Sequence, residues 1–298
     1  ALIEEVREPY RETLIADGAA ETLYEFTEEV ICRCGGEVIV ADQETWFLRY
    51  DAADWKERTH ALVDTLQTIP ENTRGEYHHT IDWLNEWPCI RNYGLGTRLP
   101  WDDAFVIEPL SDSTIYMAYY TIAEQLRALE PERLDRAFFD ALFYGPDAVD
   151  APDPTALELR ERWQYWYPVD YRFSANDLIS NHLTFYLFHH AELFEPEAWP
   201  QGIVIMGMGL LEGQKMSSSK GHVILPGAAI ERYGADTVRF FLLNAAEPWQ
   251  DYDWRAEQVG AVRDQLGRFW RRAQTVIDSA APSERPQLRR IDRWVLSR

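Results

Sequence analysis

Three short apolar runs, Phe105-Val106-Ile107, Val169-Asp170-Tyr171-Arg172-Phe173 and Ile203-Val204-Ile205-Met206, alternate with stretches of helical periodicity at 114–126, 133–143, 156–166 and 178–194. That alternation restricts the chain to an α/β architecture, because strands joined through helices pair in parallel and need both faces covered. Farther on, 228–233 and 235–243 read as two helices punctuated by Gly234, 258–277 as one long helix, and 290–298 as the start of another after the loop at 280–286. Upstream, 1–29 reads as a charged helix ending near Asp17-Gly18. Residues 30–50 alternate in β fashion around a Cys32-Arg33-Cys34-Gly35-Gly36 turn. A helix over 54–66 follows, with Asp51 or Asp54 placed to cap it. No internal repeat is present.

The chain has 298 residues, enough for about two domains, and its hydrophobic share of 46% excludes general disorder. No run of 18 apolar residues exists, so no helix spans a membrane. The acidic, amphipathic N-terminal segment does not read as a signal peptide. Three cysteines make no disulfide framework, which fits a reducing cytoplasm. Cys32 and Cys34 are half of a possible zinc knuckle, but four-coordinate zinc needs two more ligands, and two thiols in a β-turn are the favoured reading. Fifty acidic residues against 29 basic ones give a net charge of −21, and the lysines are only Lys56, Lys215 and Lys220. An acidic, lysine-poor surface suits concentrated salt, where the Debye length falls to ~3 Å at 1 M and repulsion from a polyanion is screened.

Two of those three lysines lie in one run, Glu212-Gly213-Gln214-Lys215-Met216-Ser217-Ser218-Ser219-Lys220-Gly221. Two ammonium groups, three hydroxyls and bounding glycines suit the charge that develops on a triphosphate as pyrophosphate leaves. The same composition also suits a solvated surface loop. A second place of interest is the strand that runs through Arg172 and Phe173 into the small-residue turn Ser174-Ala175-Asn176-Asp177 and then a helix. Such a turn is the usual ligand edge of an α/β sheet, and a carboxylate there, Asp177, can accept from both hydroxyls of a ribose.

The lysine–serine run resembles the signature loop of the class I aminoacyl-tRNA synthetases, which holds ATP during amino-acid activation. The following phrase Ala229-Ile230-Glu231-Arg232-Tyr233-Gly234-Ala235-Asp236-Thr237-Val238-Arg239 is similar to the stem-contact region of the leucine, isoleucine and valine enzymes. Trp87 to Trp101 resembles the segment where these enzymes re-enter the catalytic fold. Ile107 to Tyr120 resembles the archaeal-type leucyl pattern, and Tyr167 to Leu183 the ribose block.

The resemblance implies an α/β fold: the second half of a Rossmann-type catalytic domain with a parallel sheet, then a stem-contact region and the start of a helical bundle. The implied divisions are a connector with a small β/Cys-x-Cys element at 1–86, the catalytic half at 87–225, the stem-contact region at 226–257 and an anticodon-binding bundle beginning at 258–298. It implies activation of leucine by ATP, with Mg2+ accompanying the nucleotide, and transfer to tRNA(Leu). Lys215, Ser217, Ser218, Ser219 and Lys220 would be the catalytic loop, Asp177 the ribose ligand, and Leu110, Ser113, Tyr116 and His182 the amino-acid pocket. For a histidine on an apolar helix such as His182, a satisfied core residue is the competing reading.

Two departures lie inside these motifs. Ser218 stands where the second lysine of the signature usually is, and Ser174-Ala175-Asn176 precedes the acid where glycine and lysine are usual. A paralogue of altered activity, or an isoleucyl- or valyl-type relative, therefore stays open beside the leucyl reading. None of the histidines at 60, 78, 79, 182, 189, 190 and 222 offers the H-x-G-H spacing that activation also needs. The missing N-terminal half of the enzyme is then a required partner, in cis or in trans, and this chain by itself should be inactive.

Overall fold

The structure, a computed structural model, describes residues 3–28, 30–32, 35–41, 43–217, 221–279 and 289–296. The chain divides into two compact units, Ala1–Trp46 and Phe47–Arg298.

In the first unit a helix, Ile3–Ala16, ends as anticipated at a turn through Gly18, whose φ of 67° is open to glycine at no steric cost. Of the β alternation anticipated over 30–50, the part in this unit yields, among the described residues, an isolated antiparallel bridge between Ile31 and Glu37, while its last part forms the strand Phe47–Arg49 of the second unit, paired antiparallel with Glu86–Pro88. Val30, Ile31, Ile39 and Val40 are all exposed, so their alternation has no core to face. Cys32 is exposed and Cys34 lies outside the described residues. No group of three or more metal-ligating side chains is assembled among the described residues.

The second unit is organised by a three-stranded parallel sheet in which Gly202–Met206 is central, flanked by Gln67–Ile69 and Arg172–Ala175. Gly202, Ile203, Val204 and Ile205 are buried in succession, as a strand covered on both faces requires. Gly202 is fixed by close approach: a Cβ there would sit 2.5 Å from the Tyr171 ring and 3.2 Å from the Gln67 carbonyl. The residues 67–69 lie inside the stretch that the sequence groups with the connector, yet they supply one strand of this sheet.

The helix Thr184–Leu193 is apolar on all sides and accordingly buried: Phe185, Tyr186, Leu187, Phe188 and Ala191 are each fully covered. It packs on the Ala53–Thr65 helix, where the Trp55 indole donates to the Phe188 carbonyl at 2.8 Å. The Tyr50 ring lies 5.1 Å from Phe185, 4.8 Å from Phe188 and 5.0 Å from Trp55. Each such buried aromatic contributes roughly 1.5–3 kcal/mol of transfer free energy. The Ala53–Thr65 helix starts from Ala52, without the expected aspartate cap, since the Asp51 carboxylate accepts instead from Arg49. Asp54 still sits in the first turn, favourable to the helix dipole.

Two other expectations are corrected. The 105–107 run belongs to a longer strand, Asp102–Ile107, that pairs antiparallel with Ile90–Arg91 and Arg98–Leu99 in a separate sheet. The anticipated 114–126 helix breaks into two short turns, Tyr116–Tyr120 and Ala123–Leu126, which follow a separate turn at Pro109–Asp112. Hydroxyls cause the breaks by bonding back to the chain: Thr114 Oγ1 donates to the Ser111 carbonyl and Thr121 Oγ1 to that of Ala118. A further small core of Ala229, Tyr233, Phe241, Trp254 and Val259 joins the Pro226–Tyr233, Ala235–Asn244 and Ala256–Asp278 helices.

His189 and His190 sit inside the main core with all four ring nitrogens engaged. His189 bonds Thr114 Oγ1 at 2.6 Å and the Tyr50 hydroxyl at 3.2 Å. His190 bonds the Tyr186 carbonyl at 2.8 Å and the Tyr167 hydroxyl at 2.9 Å. Burial pushes their pKa values down to about 4 and about 3. The folded state therefore holds fewer protons than the unfolded one, where imidazole titrates near ~6.5. Their stabilisation is complete above that value and is lost as pH falls towards 4. Urea unfolding followed by tryptophan fluorescence should lose roughly 1 kcal/mol per pH unit for each imidazole between pH 6.5 and 5. A stability that is flat across that interval would contradict the neutral, buried assignment.

Candidate functional site

The three parallel strands end at one edge, and two of the expected site segments leave from it. Ala175 is in register with Met206, so the turn 176–177 and the segment beginning at Gly207 depart from neighbouring strands in the same direction. Asp177 lies in a 3-10 turn, Asn176–Leu178, with its side chain exposed at the carboxyl end of the sheet. This is where α/β sheets place their ligands.

The signature run folds as a hairpin. Gly209–Leu211 pairs antiparallel with Gln214–Lys215 across a two-residue turn in which Glu212 and Gly213 both have positive φ, 50° and 80°. Such a turn matches the twist of the strands it joins. On its other side Gly209–Leu211 pairs in parallel with Tyr252–Trp254. Asp253 fastens the two together: its Oδ1 accepts from the Gly213 amide at 2.9 Å and its Oδ2 from Arg255 Nε at 2.6 Å. The Gly213 amide first, and the Arg255 guanidinium with it, hold the Asp253 carboxyl below the usual carboxylate range. Lys215 is exposed on the return strand. Ser217 and His222 then exchange two backbone hydrogen bonds, 2.8 and 3.0 Å, which close the base of the loop. Ser218, Ser219 and Lys220, the tip of the expected catalytic run, lie outside the described residues.

The expected amino-acid pocket is built on the turn Pro109–Asp112. Its cap is Glu108, where the sequence points to Ser111 or Asp112: one carboxylate oxygen accepts from the amides of Leu110 and Ser111 at 2.9 and 3.1 Å. The other accepts from Arg91 Nη2 at 2.9 Å, which balances a carboxylate that is only 5% exposed. Asp112 instead accepts from Thr97 Oγ1 at 3.0 Å, tying in the glycine loop that contains Gly94 and Gly96. Ser113 Oγ donates to the Pro109 carbonyl at 2.6 Å and closes the turn.

His182 follows on a π-helical turn, Ile179–Leu183, marked by a Thr184 hydroxyl that reaches the Ile179 carbonyl. Such turns re-aim side chains and are concentrated at functional sites. His182 is buried, bonding the Leu110 carbonyl at 3.1 Å and Arg172 Nη2 at 2.8 Å. Burial, more than the neighbouring guanidinium, lowers its pKa. Arg172 in turn lies over the Tyr116 ring at 5.6 Å. Leu110, Tyr116 and His182 are thus joined through one arginine, while Ser113 serves the turn beside them.

Glu108 and Arg172 are side chains of the candidate site that the sequence reading misses. The signal for Glu108 was its place before a proline that starts a helical turn. The signal for Arg172 was a charge in a strand of a buried sheet.

Residues 148–266 match the family profile for class I (M) tRNA synthetases. The leucine--tRNA ligase of Methanothermobacter thermautotrophicus is 51% identical over 90% of this chain and 28% of its own length. Those of Methanopyrus kandleri and Pyrococcus horikoshii are 47% and 41% identical over 99% of this chain and 32% of theirs. The chain thus spans about a third of these relatives. Among solved structures, methionyl-tRNA synthetase from Mycobacterium tuberculosis bound by methionyl-adenylate aligns with a TM-score of 0.59 at 18% identity. That alignment covers 88% of this chain and 47% of the other and bears on the fold.

The Glu108 cap yields a direct test. Glu108→Ala should lower unfolding free energy by about 1–3 kcal/mol, since the half-buried Leu110 amide loses its acceptor and the Ser111 amide keeps only the Glu108 backbone carbonyl. Glu108→Gln, which keeps an acceptor oxygen, should recover most of it. An alanine variant within 0.5 kcal/mol of the parent in urea titration would show that the turn holds by other means.

Proposed function

The chain belongs to the class I tRNA synthetases, related over nearly its whole length to leucine--tRNA ligases, and from that premise we propose that it forms part of a leucine-activating site. The reaction is ATP-dependent formation of leucyl-adenylate and transfer to tRNA(Leu). The observation that supports it most is the common edge from which the Asp177 turn and the signature hairpin depart. A ribose held at Asp177 would direct its phosphates to residues fastened to the neighbouring strand.

In this reading the Asp177 carboxylate accepts from the ribose hydroxyls. Lys215 and Lys220, with the hydroxyls of Ser217, Ser218 and Ser219, meet charge on the phosphates, and Mg2+ would accompany the nucleotide by neutralising it. Exposed Asp177 suits solvent-delivered ATP, whereas the half-buried Leu110 and Ser113 with the Tyr116 ring suit an aliphatic side chain. The residues 226–257 would contact the tRNA stem, and 258–298 would begin the anticodon-binding bundle. The rest of the ATP site comes from the N-terminal half of the enzyme, in the same chain or a second one. The acidic surface is an adaptation to concentrated salt, in the cytoplasm.

The test is leucine-dependent exchange of pyrophosphate into ATP by the complete protein, in high salt, against isoleucine and valine. Leucine should support exchange well above the other two. Asp177→Ala should raise KM for ATP about 10- to 100-fold, the equivalent of a charge-assisted hydrogen bond of about 1.5–3 kcal/mol. Absence of leucine-dependent exchange in the parent would refute the reading, and an unchanged KM would return Asp177 to an ordinary turn residue.

A further inference from the structure

Arg172 opens the Arg172–Ala175 strand, and its guanidinium lies between two aromatic rings, 4.8 Å from the Tyr186 centroid and 5.6 Å from that of Tyr116. Its Nη2 is 2.8 Å from His182 Nε2. A guanidinium has no acceptor and keeps its proton at any physiological pH, so the imidazole nitrogen facing it has to be the acceptor. The one remaining ring proton of a neutral His182 is then on Nδ1, where it donates to the Leu110 carbonyl at 3.1 Å. The opposite tautomer would forfeit both bonds, and an imidazolium would set two cations against each other.

The bonds therefore run in one direction, from Arg172 through His182 to Leu110. The Leu110 peptide is gripped on both sides, because its amide donates to Glu108 at 2.9 Å. The arrangement is not what stability would favour. Arg172 Nη1 is buried without a hydrogen-bond partner, and a buried charge whose donors are incompletely matched is commonly improved upon by an apolar side chain of similar volume.

We propose that Arg172 is a positioning residue of the amino-acid pocket: it fixes His182 as the neutral Nδ1–H tautomer and so holds the Leu110 carbonyl, and the turn that carries it, in place for substrate. The proposal rests on the leucine-activating reading of this site. His182 acts through Leu110 and has no ring nitrogen left for substrate. The charged and titratable groups that face it are Arg172 from the strand, Glu108 from the pocket turn, and His189, two turns along the same helix. Tyr116 and Tyr186 enclose the guanidinium itself.

The experiment uses the complete protein with 15N-labelled histidine, the His182 signals being assigned by their loss in His182→Gln. In the parent, His182 should show protonated Nδ1 and bare Nε2 from pH 8 down to 5, with no titration. In Arg172→Met, Nε2 should gain a proton as pH falls or the tautomer should switch. KM for leucine in pyrophosphate exchange should rise about tenfold, in keeping with loss of one oriented hydrogen bond, while KM for ATP stays within twofold and the melting temperature does not fall. His182→Gln, whose amide can both accept from Arg172 and donate to Leu110, should keep KM for leucine near the parent value; His182→Leu should behave as Arg172→Met does. A parent His182 that carries a proton on Nε2 at neutral pH would overturn the proposal whatever the kinetics. So would an Arg172→Met protein whose tautomer and KM for leucine are both unchanged. If the parent shows the expected tautomer but no leucine-dependent exchange, the functional reading fails, and the pocket role given to Arg172 fails with it.

Discussion

The larger unit depends on the Gly202–Met206 strand being hydrogen-bonded to a neighbour on each side while its residues 202–205 are buried. A strand covered on both faces demands helices without a polar side, and Thr184–Leu193 meets that demand with seven buried residues, among them Phe185, Tyr186, Leu187 and Phe188. Parallel pairing then brings the carboxyl ends of the strands to one edge. The register of Ala175 with Met206 sets the Asp177 turn beside the start of the signature hairpin, although the two are some thirty residues apart in the chain. The ligand edge proposed for this sheet is a consequence of the burial behind it.

Within this apolar frame, polar groups are held by a few directional bonds. Glu108 serves two amides and Arg91, Asp253 serves one amide and Arg255, and three histidines, His182 and His190 buried and His189 half-buried, are each engaged at both ring nitrogens. In a region of low dielectric such bonds are strong, and a lost partner is expensive. That combination gives the pocket turn a single geometry. It also explains why His182, an apparent ligand residue by its place in the chain, is occupied by its own protein.

Much of this was legible beforehand. Strong apolar runs such as 203–206 and helices with clear periodicity, including 156–166, appear where the sequence puts them. So does the small-residue turn at Asp177. Parallel or antiparallel pairing of 102–107 was not legible, because an apolar run is common to both and the partner strands Ile90–Arg91 and Arg98–Leu99 are two residues each. The Gln67–Ile69 strand was invisible for the same reason: three residues make no period, and its place comes from pairing with Gly202–Ile203-Val204. The helix expected over 114–126 failed where Thr114 and Thr121 compete for carbonyls, a side-chain effect that periodicity does not register. Glu108 and Arg172 were missed because their partners, Leu110, Ser111, Arg91 and His182, are brought together by turns and tertiary contacts.

The central claim is that one edge of the parallel sheet gathers nucleotide and amino acid. It is tested most directly by a crystal structure of the complete protein with a non-hydrolysable leucyl-adenylate analogue. The account predicts both ribose hydroxyls within hydrogen-bond distance of the Asp177 carboxylate, at about 2.5–3.0 Å. It also predicts the leucyl side chain against Leu110, Ser113 and Tyr116. An analogue bound away from the carboxyl ends of the 172–175 and 202–206 strands, with Asp177 turned to solvent, would contradict it.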